Sequence, residues 1–339
     1  MQKHDITIDV EHADVLKRPA DVLVLKYAQQ LHGVDRLVAS MLRADATRMP
    51  AVGAYLAVPG RDPLAAGQVL FLGVPAIADF GYREIRAFGE RALAGAAEQC
   101  PDAQELVMTI HGPGFGLDEI EAFDSQLAGV FDAMDSGRMP GRLRSVVFVE
   151  KDERRVRRLR DALRRIVRTS SVPARSPFSA PGMDDRISRH LRSVGYDAPQ
   201  KDRVFVAMPF ADEFEDVFHF GIADPIRRAG LLCERMDQMQ FVGDVVAAMT
   251  ARIAASRLVV AELTGNNPNV YLEVGYAWGR EIPTVLLCRD AHEVKFDVQG
   301  HRHLRYKSIK DLADQLGDTL AALVGSTSSR KATTWRRGA

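Results

Sequence analysis

LVVAELTGNNPNVYLE, residues 258–273, is the stretch that decides the fold, because it contains a strand, a turn and the start of a helix. Residues 258–262 are apolar up to the final glutamate, as in a buried strand. The turn after them is rich in Gly and Asn. A helix is predicted to follow, with Asn269 as its N-cap. A strand, a polar turn and a helix in this order are typical of an α/β sheet.

The same alternation extends along the C-terminal region, 201–325. Predicted strands lie at 204–208, 231–235, 258–262, 284–288 and 303–306, and predicted helices at 214–228, 245–255, 269–278 and 309–323. Strands separated by helices indicate parallel pairing. The region is therefore predicted to be a flavodoxin-like, doubly wound parallel sheet, which binds ligands at the carboxyl ends of its strands.

The N-terminal region, 1–168, is also predicted to be an α/β domain. Strands are expected at 20–26, 69–74, 106–111 and 145–149, with helices at 34–42, 82–100, 123–134 and 152–168. Residues 169–200 begin with a Ser- and Pro-rich run and are assigned to a linker. The small, polar and basic residues 326–339 are assigned to a disordered tail.

Composition narrows the class of protein. The chain has 339 residues, with 45 Lys plus Arg and 45 Asp plus Glu. A net charge of zero argues against direct nucleic-acid binding. The three cysteines lack metal-type spacing, so no metal site is predicted. No apolar run is long enough to span a bilayer, and no signal peptide is recognisable, so we expect a cytoplasmic protein without membrane contact.

Glu273 is the most promising candidate for chemistry. It is the only charged residue between Val270 and Trp278. A helix that is apolar all round is expected to be buried, and a carboxylate inside it must be paired, protonated or facing a cavity. Its position near the end of a strand points it toward the expected ligand cleft. A structural glutamate bonded to a neighbouring loop is the alternative interpretation.

Other polar and apolar residues are expected around the same cleft. Residues after the first strand would form an apolar wall, and acids and amides near the next two strand ends would contact the ligand or cap helices. These candidates are Pro209, Phe210, Asp237, Asp244, Glu262, Asn266, Asn267 and Asn269.

VFVAMPF (204–210), SRLVVAELTGNNPNVYLEVGYAWG (256–279) and PTVLL (283–287) resemble nucleoside 2-deoxyribosyltransferase-like domains, which are related to TIR-type NAD-cleaving domains. FDVQGHRHLRY (296–306) resembles the closing segment of bacterial TIR-like proteins. The resemblance implies that Glu273 is the catalytic nucleophile at the anomeric carbon, with Glu262 and Asp244 orienting the site or moving protons.

The sequence departs from that pattern at one position. The transferases carry an acid six residues before the glutamate, where this chain has Asn267. An amide cannot transfer a proton to a leaving base, so base exchange between deoxynucleosides is disfavoured. Hydrolysis of NAD, whose nicotinamide leaves already activated, stays open.

PADVLVLKY (19–27), GVDRLVASMLR (33–43) and TIHGPGFGLDEIEAF (109–123) resemble macro domains and the N-terminal domain of leucine aminopeptidases. The resemblance implies a macro-like domain that binds an ADP-ribose-type nucleotide. The expected ligand contacts are Asp21, His111, Gly112, Gly114 and Gly116. The Gly-rich turn is either a phosphate cradle or only a tight turn.

Two functions from different classes follow. The first is cleavage of an N-glycosidic bond, or ribosyl transfer, on NAD or a nucleotide, controlled by a nucleotide on the first domain in bacterial defence or signalling. The second is a non-catalytic nucleotide sensor that signals by oligomerising. An assembly scaffold is a third possibility. A small-molecule nucleotide is the expected partner, no further cofactor is required, and a homo-oligomer is expected.

Overall fold

The computed structural model describes residues 5–43, 48–167, 171–173, 177–179, 183–236, 245–290 and 292–332. The chain forms two compact units. One consists of Met1–Pro113 and Glu119–Ala198, and the other of Gly114–Asp118 and Pro199–Ala339. Each unit has its own sheet, and most strand pairs in both are parallel. The predicted α/β class with two sheets is confirmed.

The first unit contains a seven-stranded sheet in the order β3-β4-β2-β5-β6-β1-β7. Its strands are β1 (Asp5–His12), β2 (Ala20–Tyr27), β3 (Tyr55–Pro59), β4 (Ala66–Gly73), β5 (Glu105–Thr109), β6 (Ser145–Glu150) and β7 (Ser171–Pro173). The inner strands pair in parallel, whereas β3 and β7 run antiparallel to their neighbours at the two edges. Val24 in β2 pairs with Leu70 on one side and Met108 on the other.

The helices of the first unit are α1 (Gly33–Met41), α2 (Tyr82–Gln99), α3 (Glu119–Asp135), α4 (Glu153–Ile166) and α5 (Asp185–Ser193). α2 and α3 approach closely at two glycines. A Cβ on Gly89 would lie 2.1 Å from the Gln126 carbonyl oxygen, and one on Gly129 would lie 1.9 Å from that of Arg86. Any larger residue there would force the two helices apart.

Three strands of this sheet were missed by the sequence analysis. β1 and β3 were not predicted, and β7 lies inside the segment 169–200 that was assigned to a linker. β7 pairs with β1, and both β7 and α5 belong to the first unit. The Ser- and Pro-rich composition concealed an edge strand, where Pro is tolerated because one side of the strand needs no partner.

The second unit contains a five-stranded parallel sheet in the order β12-β11-β10-β8-β9. Its strands are β8 (Arg203–Ala207), β9 (Leu232–Glu234), β10 (Leu258–Glu262), β11 (Thr284–Arg289) and β12 (His303–Tyr306). The chain starts in β8, adds β9 on one side and then returns to add β10 on the other. This is the flavodoxin-like order that the sequence predicted, with its switch point between β8 and β10.

Helices cover both faces of this sheet. They are α6 (Asp224–Arg228), α7 (Val245–Ala254), α8 (Pro268–Gly279), α9 (Phe296–Gln299) and α10 (Ile309–Ala332), and a π-helical segment, Val217–Ala223, precedes α6. Two apolar cores result. One packs the π-helical segment, α6 and α10 against the sheet, and the other packs α7, α8 and the segment around α9.

Two predicted elements of this unit differ from the structure. Residues 214–228 are not one α-helix, because Pro225 has no N–H to bond to the carbonyl of Gly221 and its ring excludes that carbonyl. A π-helical turn precedes the proline instead. The predicted disordered tail from Ser326 begins inside α10, which continues to Ala332. No proline interrupts 326–332, and each added residue gains one helical hydrogen bond.

Candidate functional site

Glu273 lies in the second turn of α8, which starts at the carboxyl ends of the strands. Its neighbours on the helix surface, Val270 and Ala277, are 1% and 0% exposed. Glu273 itself is half-buried. Among the residues that the structure describes, its carboxyl group makes no hydrogen bond and no ion pair. The carboxyl group is thus withdrawn from water without a group that would compensate its charge.

This environment changes the acidity of the side chain. Burial raises the pKa of Glu273 from its ordinary value of 4.5 to about 7. Among the described residues, no cation or hydrogen-bond donor lowers it. A carboxyl group with such a pKa is present in both protonation states near neutral pH, which suits acid–base or nucleophilic work.

The two flanks of α8 are different. On one flank the hydroxyl of Tyr271 donates to Asn266 Oδ1 (2.7 Å), and the ring of Trp278 stacks on His301 at 4.1 Å. Glu273 lies on the other flank, since successive residues turn by 100° around a helix. α7 packs against α8. Glu273 therefore faces the α7 side, near the switch point of the sheet.

α8 is not apolar and buried around its whole circumference, as the sequence analysis assumed. Leu272 is 58% exposed, and Gly275 is also exposed. Only one stripe, which includes Val270, Val274 and Ala277, is fully buried. An amphipathic surface helix tolerates apolar residues on its solvent side, so an absence of charges does not prove burial.

Two of the three asparagines before Glu273 stabilise the turn and the start of the helix. Asn267, not Asn269, is the N-cap: its side chain accepts the N–H of Asn269 at 2.9 Å. Asn266 has a positive φ of 53° and donates to the Glu293 carbonyl at 3.1 Å. Asn269 is exposed. Asn266 and Asn267 are therefore already engaged in local structure.

Glu262 ends β10 and is completely buried. Its Oε1 accepts the N–H of Thr264 at 2.8 Å, and its Oε2 accepts the hydroxyl of Tyr306 at 3.0 Å. Burial raises its pKa, and these donors act in the opposite direction. Glu262 thus stabilises the strand end, and its carboxyl group has no access to solvent.

The apolar wall predicted after β8 is only partly present. Pro209 is buried, whereas Phe210 is 40% exposed and has the Arg235 guanidinium 5.5 Å from its ring centroid. The predicted site residues Asp237 and Asp244 lie outside the described residues.

The predicted ligand contacts of the first unit do not converge. Asp21 lies at the start of β2, where its Oδ2 accepts the backbone N–H groups of Gln104 (2.7 Å) and Glu105 (3.0 Å). His111 follows the end of β5, which is parallel to β2. The two residues therefore lie at opposite edges of the sheet. Asp21 joins two strand ends and cannot share a ligand with His111.

His111 is 4% exposed and packs edge-to-face against the ring of Phe88 at 4.4 Å. Its buried Nε2 has no hydrogen-bond partner among the described residues. Burial lowers the pKa of His111 well below its ordinary value. The neutral imidazole packs like an apolar ring, and its Nε2 is the polar atom that could contact a ligand.

The Gly-rich turn after His111 contains residues of both units. Gly112 and Gly116 have positive φ angles of 109° and 83°, as a tight turn requires. Gly114 and Gly116 belong to the second unit. In that unit Asp118, which the sequence analysis did not select, accepts both Arg227 Nε (2.9 Å) and the N–H of Cys233 (3.1 Å).

Arg289 and Tyr306 were also missed, although both end parallel strands of the second unit. The rule that ligands bind at carboxyl strand ends would have selected them. Arg289 follows the predicted end of its strand by one residue, and Tyr306 is the last residue of its predicted strand.

No family model and no curated protein sequence matches this chain. Similar solved structures include the CMP N-glycosidase BcmB of Clostridium botulinum, with 16% identity, a TM-score of 0.30 and coverage of 35% of this chain and 99% of that one. An Oceanobacillus iheyensis macrodomain mutant with ADPR has 15% identity, a TM-score of 0.37 and coverage of 50% and 99%. A Trypanosoma brucei macrodomain in complex with ADP has 16% identity, a TM-score of 0.36 and coverage of 47% and 68%.

At these identities and TM-scores the similarities establish neither a family nor a function for this chain. The resemblance of the second unit to deoxyribosyltransferase and TIR domains stays a prediction. In the part of the chain that the structure describes, no helix is both long and apolar enough to cross a bilayer.

Proposed function

We propose that the second unit cleaves the N-glycosidic bond of a nucleotide, with Glu273 as the carboxylate that meets the anomeric carbon. One observation carries the proposal. A half-buried carboxyl group without a partner among the described residues, with a pKa of about 7, lies near the switch point of a doubly wound sheet. A structural glutamate in that position would be expected to have a partner.

The chemistry suits a single carboxylate. Departure of the base leaves positive charge on the ribose ring and its anomeric carbon, which an ionised carboxylate stabilises or captures as a glycosyl ester. Water then attacks the anomeric carbon, the bond to the carboxylate breaks, and the free sugar hydroxyl and one proton are released. The ionised form of Glu273 is regenerated.

The leaving group is constrained by the neighbouring side chains. Asn267 is an amide engaged in capping, and Glu262 is sealed from solvent. Neither can deliver a proton to a departing base. The proposed substrate is therefore NAD, whose positively charged nicotinamide leaves as a neutral molecule without protonation.

The pH profile distinguishes the roles of Glu273. A nucleophile must be ionised, so the rate of NAD cleavage is expected to increase between pH 6 and pH 8, around the pKa of about 7. A general acid would give the opposite slope. A profile that is flat over this range would contradict both roles.

The experiment compares the wild type with Glu273→Gln and with Glu281→Gln, the same chemical change at an exposed glutamate of the same unit. Nicotinamide release from NAD, and base release from nucleosides, is followed by chromatography. We expect Glu273→Gln to lose at least about a hundredfold in rate, since covalent and electrostatic catalysis are lost together. Full activity of Glu273→Gln would refute the proposal.

A non-catalytic sensor is the second candidate. It is favoured because neither Glu262 nor Asn267 can transfer a proton in a reaction at Glu273. In that case nucleotide binding would be measurable without turnover and would change the oligomeric state.

In either case we propose that a nucleotide held by a macro-like first unit, near His111 and Gly112, controls the second unit in bacterial defence or signalling. Adding ADP-ribose to the turnover assay tests this control.

A further inference from the structure

The second unit has a concave surface at the carboxyl edge of its sheet. This pocket has a volume of about 700 Å³ and is lined by residues that follow β8, β11 and β12. Pockets of about 300–1,000 Å³ are the usual size for small-molecule ligands. Glu273 does not line it.

Arg289 is the unusual residue of this pocket. It is half-buried at the end of β11, and its guanidinium lies 5.4 Å from the ring centroid of Phe214. No described carboxylate lies within ion-pair distance of it, although the buried Glu262 interacts with it electrostatically. Two other half-buried arginines of this unit, Arg227 and Arg235, each bind a carboxylate at 2.9 Å. A half-buried guanidinium that forms no ion pair with a described carboxylate is suited to a planar or tetrahedral anion.

The strand ends beneath Arg289 are held rigidly. The N–H of Arg289 donates to Thr264 Oγ1 at 2.9 Å, and the N–H of Thr264 donates to Glu262 Oε1 at 2.8 Å. Tyr306, which lines the pocket, donates its hydroxyl to the same Glu262. These bonds fix the backbone of the arginine before any ligand arrives, so less ordering entropy is lost on binding.

The mouth of the pocket carries acidic side chains. Glu213 and Asp216 line it, are exposed, and make no ion pair with the described residues. Lys307 Nζ lies 3.9 Å from Asp290 Oδ2, so the charge of this lysine is partly balanced. Ionised carboxylates only accept hydrogen bonds, and sugar hydroxyls are suitable donors. A free polyanion would be repelled by these two acids.

We infer that this pocket binds a phosphorylated sugar, of the kind that a nucleotide carries, with its phosphate on Arg289 and its hydroxyl groups on Glu213 and Asp216. The site is separate from Glu273, and it does not depend on the reaction proposed there. Both halves of the ligand contribute, because the phosphate gives the Arg289 guanidinium an anionic partner and the hydroxyls donate to the acids at the mouth.

The test measures binding of ribose 5-phosphate, ribose, inorganic phosphate and AMP to the full-length chain by calorimetry. The variants are Arg289→Gln, Arg289→Lys and the double change of Glu213→Gln with Asp216→Asn. Arg302→Gln, at an exposed arginine of the same unit, is the matched control. Every titration is repeated with Glu273→Gln protein, which removes the carboxylate of the other site.

We expect ribose 5-phosphate and AMP to bind and ribose not to bind. Arg289→Gln should weaken ribose 5-phosphate by about tenfold or more, Arg289→Lys by less, and Arg302→Gln not at all. The double variant should weaken ribose 5-phosphate but not inorganic phosphate. The inference is overturned if the wild type binds no phosphate-bearing probe, if both Arg289 variants bind like the wild type, or if Glu273→Gln abolishes the binding.

Discussion

Glu273→Gln should make the second unit more stable at alkaline pH and leave it unchanged at acid pH. Burial raises the pKa of Glu273 from 4.5 to about 7. Below pH 4.5 the side chain is neutral in the folded and unfolded states, and no energy is lost. Between these two values the unfolded chain releases the proton and the folded chain keeps it, so the free energy of unfolding falls as pH rises.

The magnitude follows from the same values. Each pKa unit corresponds to 1.36 kcal/mol, so above pH 7 the wild type carries a penalty of up to about 3 kcal/mol, reduced by the partial exposure of the side chain. Glutamine has nearly the same shape and does not ionise. We therefore expect the variant to gain about 2 kcal/mol over the wild type at pH 8.5 and almost nothing at pH 4.

Urea denaturation followed by tryptophan fluorescence measures this difference. One of the two tryptophans, Trp278, lies on α8 itself and reports on the second unit. Glu281→Gln, at an exposed position, is the control and should show no pH-dependent gain. If Glu273→Gln gives the same stability difference at both pH values, the side chain is not withdrawn from water, and the catalytic assignment loses its basis.

Three further changes test the polar interior of the second unit by denaturation of the full chain. Asp118→Asn should cost about 3–5 kcal/mol, since it leaves the charge of Arg227 without its buried partner; a loss under 1 kcal/mol would contradict this. Tyr306→Phe should cost about 1–3 kcal/mol, because Glu262 Oε2 loses its donor, and an unchanged urea midpoint would argue against the bond. Asn267→Ala should cost about 1 kcal/mol as a lost N-cap, and a neutral result would mean that the cap is not formed.

The sheet of the second unit could be predicted from the sequence because its strands are short apolar runs separated by clear turns. Val204–Phe205–Val206 and Leu258–Val259–Val260 are fully buried in the structure. Parallel strands covered on both faces produce such runs. In the first unit β3 could not be found this way, because it is an edge strand and only half-buried.

The candidate site could be predicted only in part. Glu273 was found because a lone charge among apolar residues is a local signal. The roles of Glu262 and Asp21 depended on partners far away in sequence, Tyr306 for the first and Gln104 for the second. Hydrogen-bond partners that lie so far apart in sequence are set by tertiary packing, which no local pattern encodes.

The five residues Gly114–Asp118 have a consequence for dissecting the protein. They belong to the second unit, although the rest of that unit begins only at Pro199. A fragment that begins at that proline would therefore lack the Asp118 carboxylate, which accepts hydrogen bonds from Arg227 Nε and from the N–H of Cys233. The second unit is completed by a short piece of chain translated long before it, so a single proteolytic cut cannot release it whole.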